Sequence, residues 1–425
     1  MRHLYTFLFY LAIPFILLRL RWRSRRIPVP PRFWRERWGY TSPLTKHHSI
    51  WIHAVSVGET MAAIPLIRAL QQQYPHYALV VTTTTPTAAQ QVSQQLSHSV
   101  QHAYIPYDLP RCIHRFLRRC RPVLCILMET ELWPNLIHCT HAHRIPILLA
   151  NARLSERSLR GYQRIPTLIK TMLHQLSHVA TQSDADGKRF LKLGLPSEKL
   201  QWMGNIKFDL QLPASILTEG QQWRSHWNNR PTLIAASTHE GEEEKLLHAL
   251  PIIQHSIPDI LLILVPRHPQ RFSAVAELCR SLSLRFVQRS LQQWPDTSTS
   301  ILLGDTLGEL RTLYAASDVA FVGGSLVPVG GHNLIEPAAV HLPIVTGSHL
   351  HHFEAVRQLL EAANALIVVD DATALIHHVV QLFANPSQRK AMGERAYQVS
   401  LANTGALEKH LAWINRTLEQ EARAT

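Results

Sequence analysis

The stretch SIWIHAVSVGETMAAIPLIRALQQQ, residues 49–73, contains an apolar run, a turn at Gly58 and an amphipathic segment in that order. An apolar run of this kind suits a strand that is buried on both faces. The segment after Gly58 repeats its apolar residues at helical spacing. The stretch therefore predicts a strand–turn–helix unit, the building block of a parallel α/β sheet.

The same alternation continues on both sides of this unit. In the first half of the chain, the apolar runs are ALVVTTTT (78–85), VLCILMET (123–130), IPILLANA (145–152) and HVATQS (178–183). In the second half they are TLIAAST (232–238), ILLILVPR (260–267), SILLGDT (300–306), VAFVGGS (319–325), LPIVTGS (342–348) and ALIVVDD (365–371). Amphipathic segments separate them. The pattern predicts an α/β protein with two Rossmann-like parallel-sheet domains that face a cleft.

The domain boundaries follow from the break between the two series of strands. We expect a membrane anchor with a basic flank over residues 1–26, an N-terminal Rossmann-like domain over 27–212 and a C-terminal one over 213–425. The last stretch, from Pro386 to about Leu418, is helical in pattern and is a candidate for packing back onto the first domain. A length of 425 residues fits two domains of ordinary size.

The positive charge of the chain is unevenly distributed. The formal net charge is +13, and residues 1–40 contain nine Arg and only one acidic residue, Glu36. Eight of the excess charges therefore lie beside the apolar N-terminus, where they would face anionic lipid headgroups. The rest of the chain lacks the basic stripes of a nucleic-acid-binding protein, so no nucleic-acid partner is expected. The five cysteines have no metal-type spacing.

The N-terminal segment LYTFLFYLAIPFILL, residues 4–18, is uncharged and almost wholly apolar. At 1.5 Å per residue it reaches about 22 Å, which is short of a hydrocarbon core of about 30 Å. It therefore predicts an anchor that crosses the membrane marginally or lies in it. The arginine run at 19–26 follows the apolar segment, which is the opposite of a secretory signal and predicts a cytoplasmic location for everything after it.

Glu59 is the first candidate for catalysis. It follows a predicted strand in SVGET (56–60) and lies at the start of a helix. The carboxyl end of a parallel strand is where such sheets present functional groups. The alternative is that Glu59 only complements the helix dipole, which would also keep its carboxylate ionised.

Glu129 and Lys207 are the other candidates of the first half. Glu129 ends a strand in METELWPN (128–135), two residues before Glu131, so that both carboxylates share one face if the strand continues. The alternative is a pair of solvated acids. Lys207, in GNIKFD (204–209), is either a point charge for a phosphate or carboxylate or an ordinary surface lysine.

The second half contains the candidates for nucleotide binding. Arg267 and His268 follow a predicted strand, and a guanidinium suits bidentate contact with phosphate. The backbone amides of Gly308, Glu309 and Leu310 open a helix and suit an anion. In FVGGSLVPVGGHNLIEPAA, residues 321–339, two glycine pairs permit close approach of the backbone to phosphate, and a helix begins over Asn333, Leu334, Ile335 and Glu336. This is neither a dinucleotide fingerprint nor a P-loop.

The loop GSHLHHFE, residues 347–354, has three histidines in four positions, His349, His351 and His352. Adjacent histidines share one metal poorly, and the chain has 26 histidines in all. We therefore predict loop contacts at this place and no metal site.

Taken together and in this order, WIHAVSVGE, METELWPN, GNIKFD, PRHPQRF, GDTLGEL and GGSLVPVGGHNLIEPAA resemble the bacterial Kdo (3-deoxy-D-manno-octulosonic acid) transferases specific for lipid A. The apolar N-terminus, the arginine run and WRERWG fit the same family. The resemblance covers roughly residues 4–415. Its combined motifs are highly specific, whereas any one of them is not.

The resemblance implies a GT-B fold and an inverting transfer of Kdo from CMP-Kdo to the lipid A precursor lipid IVA, in the synthesis of the lipopolysaccharide inner core. It implies Glu59 as the general base, Glu129 and Lys207 as groups that stabilise the transition state, and no metal or other cofactor. It places the CMP contacts at Arg267, His268, Gly308, Glu309, Leu310, Asn333, Leu334, Ile335 and Glu336. Inner-membrane lipids are the further partners, and the cytoplasmic face of the inner membrane is the location.

Two other functions share some of these features. A nonhydrolysing nucleotide-sugar epimerase also has two Rossmann-like domains, but it needs no arginine-flanked apolar N-terminus. A basic membrane adaptor without catalysis would need a more strongly charged body than this chain has.

Overall fold

The computed structural model describes residues 1–24, 29–44, 46–96, 99–210, 212–351 and 353–424. Arg25 and Arg26 of the predicted basic flank, and His352 of the histidine-rich loop, lie outside these residues. The chain divides into two compact units. Unit 1 comprises Met1–Asp209 and Thr404–Thr425, and unit 2 comprises Leu210–Asn403.

Seven parallel strands in the described part of unit 1 form its sheet. They are β1 (Ser49–His53), β2 (Ala78–Thr83), β3 (Gln101–Tyr104), β4 (Pro122–Met128), β5 (Ile147–Ala152), β6 (His178–Thr181) and β7 (Leu200–Trp202). Their order across the sheet is β3-β2-β1-β4-β5-β6-β7. The order reverses between β1 and β4, which is the point where doubly wound sheets bind ligands.

Helices cover both faces of this sheet. They are α1 (Arg2–Ser24), α2 (Pro31–Glu36), α3 (Val57–Gln73), α4 (Pro86–Leu96), α5 (Pro110–Cys120), α6 (Pro134–Ala142), α7 (Glu156–Tyr162), α8 (Pro166–Gln175) and α9 (Asp184–Lys192). Successive residues of β1 enter different cores, because side chains alternate along a strand. Ile50 and Ile52 pack in one apolar cluster with α3, and Trp51 packs in the other with Phe116 of α5.

Unit 2 has a similar plan. Its strands are β8 (Thr232–Thr238), β9 (Leu261–Pro266), β10 (Phe286–Gln288), β11 (Ile301–Leu303), β12 (Val319–Val322), β13 (Ile344–Gly347) and β14 (Leu366–Val369), in the order β10-β11-β9-β8-β12-β13-β14. Its helices are α10 (Ile216–Ser225), α11 (Glu242–Ser256), α12 (Phe272–Ser281), α13 (Leu310–Ala315), α14 (Ile335–Ala339), α15 (Glu354–Ala362), α16 (Ala372–Ala384) and α17 (Pro386–Ala402). The strand order reverses between β8 and β12.

The last helix, α18 (Ala406–Ala424), belongs to unit 1. Its Ile414 and Leu418 are buried in the same apolar cluster as β1 and α3. The carboxylate of Asp209 accepts hydrogen bonds from the backbone N–H groups of Gly405 and Leu407, so the two crossings between the units are tied together. The predicted C-terminal domain ran to residue 425. Its last segment, from Thr404 onward, instead belongs to unit 1.

The N-terminal helix α1 is longer than its uncharged segment. It has 23 residues and spans about 35 Å at 1.5 Å per residue. Its Arg2–Trp22 portion is long and apolar enough to cross a membrane, a test that a signal sequence also passes. The uncharged segment 4–18 still spans about 22 Å, and the helix continues beyond it at both ends. The prediction of two parallel-sheet α/β domains of the GT-B type is confirmed.

Candidate functional site

The carboxylates predicted in unit 1 lie at the point where its strand order reverses. Glu59 follows β1 and Glu129 follows β4, and these two strands are neighbours in the sheet. The loops after adjacent parallel strands leave the sheet at the same edge, and here they diverge to different sides. The topology therefore brings together two residues that are 70 positions apart in the sequence.

Glu59 takes part in the cap of α3. Ser56 is the N-cap, and its Oγ accepts a hydrogen bond from the Glu59 N–H at 3.3 Å. In return, Glu59 Oε1 accepts from the Ser56 hydroxyl and Oε2 accepts from the Val55 N–H, both at 2.8 Å. This is a reciprocal cap of the capping-box kind. The cap fixes the carboxylate at the strand end, so the helix-start role and a role in the site coexist.

Burial is the largest influence on the pKa of Glu59. Its side chain is 8% exposed. Burial raises the pKa of Glu59, the bonds from Ser56 and Val55 lower it, and the nearby charge of Glu129 raises it again. The helix dipole is therefore not the main influence on this pKa, and the expectation that Glu59 is ionised stays a prediction. A raised pKa brings a carboxylate closer to the strength that a general base needs near neutral pH.

Glu129 stands in an unusual backbone conformation. The strand β4 ends at Met128, and Glu129 has φ +55°, a left-handed value that is uncommon for residues other than glycine. The condition for a shared strand face with Glu131 is therefore not met. The turn directs the Glu129 carboxylate to two cations: Arg153 Nε lies 2.7 Å from Oε2, and Lys207 Nζ lies 3.2 Å from Oε1. Such outliers cluster at functional sites.

Lys207 is held by a chain of hydrogen bonds. It lies in a 3₁₀ turn, Ile206–Phe208, whose N-cap Asn205 accepts from the Lys207 N–H at 3.0 Å. The Ile206 N–H donates to the side chain of Asn151, at the end of β5, at 3.0 Å. The Asn151 N–H in turn donates to Nε2 of His410, on α18, at 3.1 Å. The C-terminal helix therefore supports the turn that carries Lys207.

Two further residues belong to this group: Arg153, which the sequence did not single out, and Glu131, which it paired with Glu129. Arg153 follows β5, the strand next to β4, and the edge position after IPILLANA was the signal for it. The carboxylate of Glu131 accepts a hydrogen bond from the indole N–H of Trp133 at 2.7 Å. Burial, followed by the charge of Glu59, raises the pKa of Glu131 to about 7. The site in unit 1 thus holds three carboxylates and two cations.

The predicted donor residues of unit 2 are spread over three loops. Arg267 and His268 follow β9 and are both exposed. Gly308 has φ +91°, and a Cβ placed on it would meet no heavy atom within 4 Å, so a ligand has room beside it. The carboxylate of Glu309 pairs with Arg289 at 2.9 Å. Leu310 begins α13.

The fourth segment of predicted contacts opens α14. Asn333 Oδ1 accepts from the N–H of Ile335, the first residue of the short helix, at 3.0 Å. The side chains of Leu334 and Ile335 are fully buried, so only their backbone groups are available to a ligand. Glu336 pairs with Arg311 at 3.1 Å. This segment therefore offers polar contacts at its two ends.

The glycine-rich loop binds a carboxylate of the protein itself. Glu242, the first residue of α11, is fully buried, and its Oε1 accepts from the N–H groups of Ser325 and Leu326 at 3.0 and 2.9 Å. Its Oε2 accepts from the N–H groups of Gly324 and His239 at 2.7 and 2.9 Å. The prediction that this first glycine pair approaches a phosphate was wrong, because Glu242 already holds these amides. In the sequence Glu242 is the first of three consecutive acidic residues, and nothing there distinguishes it from the other two.

Histidines gather beside this loop. The rings of His239 and His332 stack with their centroids 5.0 Å apart, and their Nε2 atoms are 2.8 Å apart, so one donates to the other. His268 packs edge-on against His239 with centroids 5.2 Å apart. Burial, and then the charge of His268, lower the pKa of His239. The cluster joins β8, β9 and the glycine-rich loop.

The next feature is the placement of side chains that could bind a metal ion. Among them, no group of three or more His, Cys, Asp or Glu side chains is placed to hold a metal ion. His349 and His351 of the histidine-rich loop are within this set. The five cysteines are buried and unpaired with one another.

Known proteins resemble this chain at two levels. A family model described as 3-deoxy-D-manno-octulosonic-acid transferase (kdotransferase) matches residues 32–210. The 3-deoxy-D-manno-octulosonic acid transferase of Haemophilus influenzae is 43% identical over 423 residues, which cover 99% of each chain.

Two solved structures share the fold. MurG of Acinetobacter baumannii matches with a TM-score of 0.56 at 12% identity, covering 87% of this chain and 99% of its own. A putative UDP-N-acetylglucosamine 2-epimerase from Listeria monocytogenes matches with a TM-score of 0.53 at 14% identity, covering 88% and 97%. At such low identity these two matches indicate the architecture and nothing about the reaction.

Proposed function

The chain belongs to the 3-deoxy-D-manno-octulosonic acid (Kdo) transferases, and on this premise we propose that it moves Kdo from CMP-Kdo to the lipid A precursor lipid IVA. It is a glycosyltransferase of lipopolysaccharide synthesis. The observation that carries the proposed mechanism is the buried carboxylate of Glu59, fixed at the strand-order reversal of unit 1 beside the Glu129 ion pairs.

In the proposed reaction a hydroxyl of the acceptor attacks the anomeric carbon of Kdo. The bond from that carbon to the phosphate oxygen breaks, and CMP leaves with the electron pair. Attack from the face opposite to the phosphate inverts the configuration. The acceptor proton goes to Glu59, whose raised pKa favours its uptake.

Charge development at the sugar requires fixed electrostatic partners. The transition state resembles an oxocarbenium ion, and Kdo carries a carboxylate beside the anomeric carbon. We assign Lys207 and Arg153 to orienting that carboxylate and Glu129 to holding both cations. Preorganised charges of this kind lower the barrier because they need no rearrangement during the reaction.

The donor is assigned to unit 2. Arg267 suits the phosphate of CMP because its guanidinium is exposed at a strand end. His268, the turn at Gly308 and the polar groups of Asn333 and Glu336 are the further proposed contacts. We propose that no metal ion takes part, and transfer that is unchanged in excess EDTA is the expected result.

The acceptor explains the need for membrane attachment. Lipid IVA is embedded in a membrane, and α1 gives the chain an apolar helix beside a run of arginines. We propose that the enzyme works at the cytoplasmic face of the bacterial inner membrane.

The test is a transfer assay with the purified chain, CMP-Kdo and lipid IVA, read by mass spectrometry of the lipid. We expect the lipid to gain the mass of one or more Kdo residues. Folded protein that binds CMP but leaves the lipid unchanged would contradict the proposed acceptor. Fully acylated lipid A is tested as a second acceptor, and a comparison of the two acceptors shows which class of lipid the enzyme uses.

A further inference from the structure

The N-terminal helix α1 packs on the rest of unit 1 along most of its length. At its start, Arg2 Nη1 and Thr6 Oγ1 donate to Asn135 Oδ1 at 3.2 and 3.0 Å, and Tyr5 hydrogen-bonds to Asp108. Further along, one face of the helix packs on the side chains of Tyr107, Leu109 and Cys112. The residues of that face are Phe9, Ile13, Ile16, Leu17 and Leu20.

The anchoring contacts reach from the first turn of α1 to Leu20, about one turn before the helix ends. From Arg2 to Leu20 the helix advances by about 27 Å at 1.5 Å per residue. This is close to the thickness of a hydrocarbon core, about 30 Å. A helix that stood across the membrane would therefore take the flanking surface of unit 1 into the hydrocarbon.

That flanking surface is unsuited to hydrocarbon. The helix α5, which carries Cys112 in the contact with α1, also carries the exposed side chains of Arg111, Arg118 and Arg119. Charged side chains in the hydrocarbon are costly and face a protein or water interior when they occur. The packing of α1 on α5 is thus incompatible with a span across the bilayer.

The opposite face of α1 is an apolar stripe. Its members recur every three or four residues and are 55–74% exposed: Leu4, Phe7, Leu11, Phe15, Leu18 and Trp22. At 3.6 residues per turn they lie opposite the face that packs on unit 1. The helix is therefore apolar on two sides, and the contacts among the described residues lie on one of them.

Charge and aromatic residues at the end of the stripe identify what covers the other side. Arg19 and Arg21 are exposed beside Trp22, which is the arrangement of an interfacial helix on an anionic lipid surface. A cavity of about 330 Å³ lined by Trp34, Arg35, Trp38 and Tyr40 adjoins the helix, since Trp38 packs in the same cluster as α1. Trp, Tyr and Arg are typical of the headgroup layer.

We propose that α1 lies in the plane of the membrane surface, with the Leu4–Trp22 stripe in the lipid and its other face fixed to unit 1, so that both of its ends remain on one side of the bilayer. This deepens the membrane attachment proposed above. The tests below read topology and lipid binding, so they succeed or fail independently of Kdo transfer.

The topology test uses single cysteines in the full chain. The five native cysteines are buried and give a low background. His3→Cys, at the exposed start of α1, is compared with Gln72→Cys on the exposed side of α3. Cytoplasmic-side-out inner-membrane vesicles are treated with a membrane-impermeant maleimide before and after permeabilisation.

We expect both cysteines to react in sealed vesicles. Reaction of Gln72→Cys at once, but of His3→Cys only after permeabilisation, would show a helix that crosses the membrane and would overturn the proposal. Neither substitution should disturb the fold, because both side chains are exposed.

The lipid-facing stripe is tested with vesicles of phosphatidylethanolamine and phosphatidylglycerol. Phe15→Glu with Leu18→Glu should weaken co-flotation at least about tenfold, since charges are expelled from the hydrocarbon. The control is Ile252→Glu, which also places a charge at an exposed aliphatic residue, but on α11. This variant should float like the unmodified chain. Equal flotation of the stripe variant and the control would overturn the assignment of this face to lipid.

Discussion

Replacement of Glu59 by glutamine separates its structural role in the cap of α3 from its proposed role as the general base. The amide of Glu59→Gln has the shape of the carboxylate, so its oxygen still accepts from the Val55 N–H and its NH₂ donates to Ser56 Oγ. The cap of α3 is therefore retained. The ability to take up a proton is lost.

The magnitudes of the two effects differ widely. A positioned general base contributes about 10²- to 10⁴-fold to a rate. At about 1.4 kcal/mol per tenfold, this is a rise of about 3–5 kcal/mol in the barrier. The free energy of unfolding should change by less than about 1 kcal/mol, since each hydrogen bond of the cap is replaced by another of similar worth.

The matched control is Ser56→Ala, which removes the N-cap oxygen but keeps the Glu59 carboxylate and its hydrogen bond from the Val55 N–H. Loss of an N-cap costs about 1 kcal/mol of stability. Initial rates of transfer at saturating CMP-Kdo, CMP affinity by calorimetry and thermal unfolding are measured for both variants. Glu59→Gln should lose rate and keep stability, and Ser56→Ala should lose stability and keep most of the rate.

A rate for Glu59→Gln within about threefold of the unmodified enzyme would refute the reasoning, because general-base removal costs at least about a hundredfold. Glu59 would then be a helix cap alone, and the proton acceptor would have to be sought elsewhere in the site.

Four further outcomes are expected. Lys207→Met should lower kcat by about ten- to a hundredfold without changing CMP affinity, because one of the fixed positive charges is lost. Arg153→Gln should raise the pKa of Glu59, since the arginine charge lowers it, so the acidic limb of the pH–rate profile moves to higher pH. Glu242→Gln should lower the free energy of unfolding of unit 2 by about 3 kcal/mol, because its NH₂ group faces backbone donors in a fully buried place. His410→Phe should lower kcat several-fold with an unchanged donor KM, and His410→Gln should recover part of it, because an acceptor for the Asn151 N–H returns.

Two of these variants have a matched control, in which the same type of side chain is changed at an exposed position. Lys188→Met removes an exposed lysine of α9 and should leave kcat unaltered. Glu244→Gln changes an exposed acid in the same first turn as Glu242 and should leave thermal unfolding unaltered. An unmoved pH profile for Arg153→Gln, or equal stability of the two α11 variants, would contradict the assignments.

The sheets could be predicted because their central strands are buried on both faces. An apolar run such as ALVVTTTT has few alternatives once helical patterns flank it. The strands β3, β7 and β10 were missed. Each has three or four residues and lies at an edge of its sheet, where a strand needs no continuous apolar run.

The site was predictable only in part. Glu59 and Glu129 could be placed because both follow buried strands, but the pairing of Glu129 with Lys207, 78 residues away, depends on tertiary structure. Arg153 was missed although it also follows a strand, since an arginine after an apolar run is common on surfaces. Glu242 could not have been found, because a buried acid that binds four amides has the same local sequence as a solvated one.

The two crossings between the units have a consequence for how the protein is built. Because Asp209 bonds to the amides of Gly405 and Leu407, the entry and exit of residues 210–403 stand side by side. Unit 2 is thus a domain inserted into a surface loop of unit 1, and terminal neighbours of this kind favour exchange of a whole module. We therefore expect that unit 2, the proposed donor unit, can be exchanged as one module through a pair of adjacent joints, while the rest of the chain stays in unit 1.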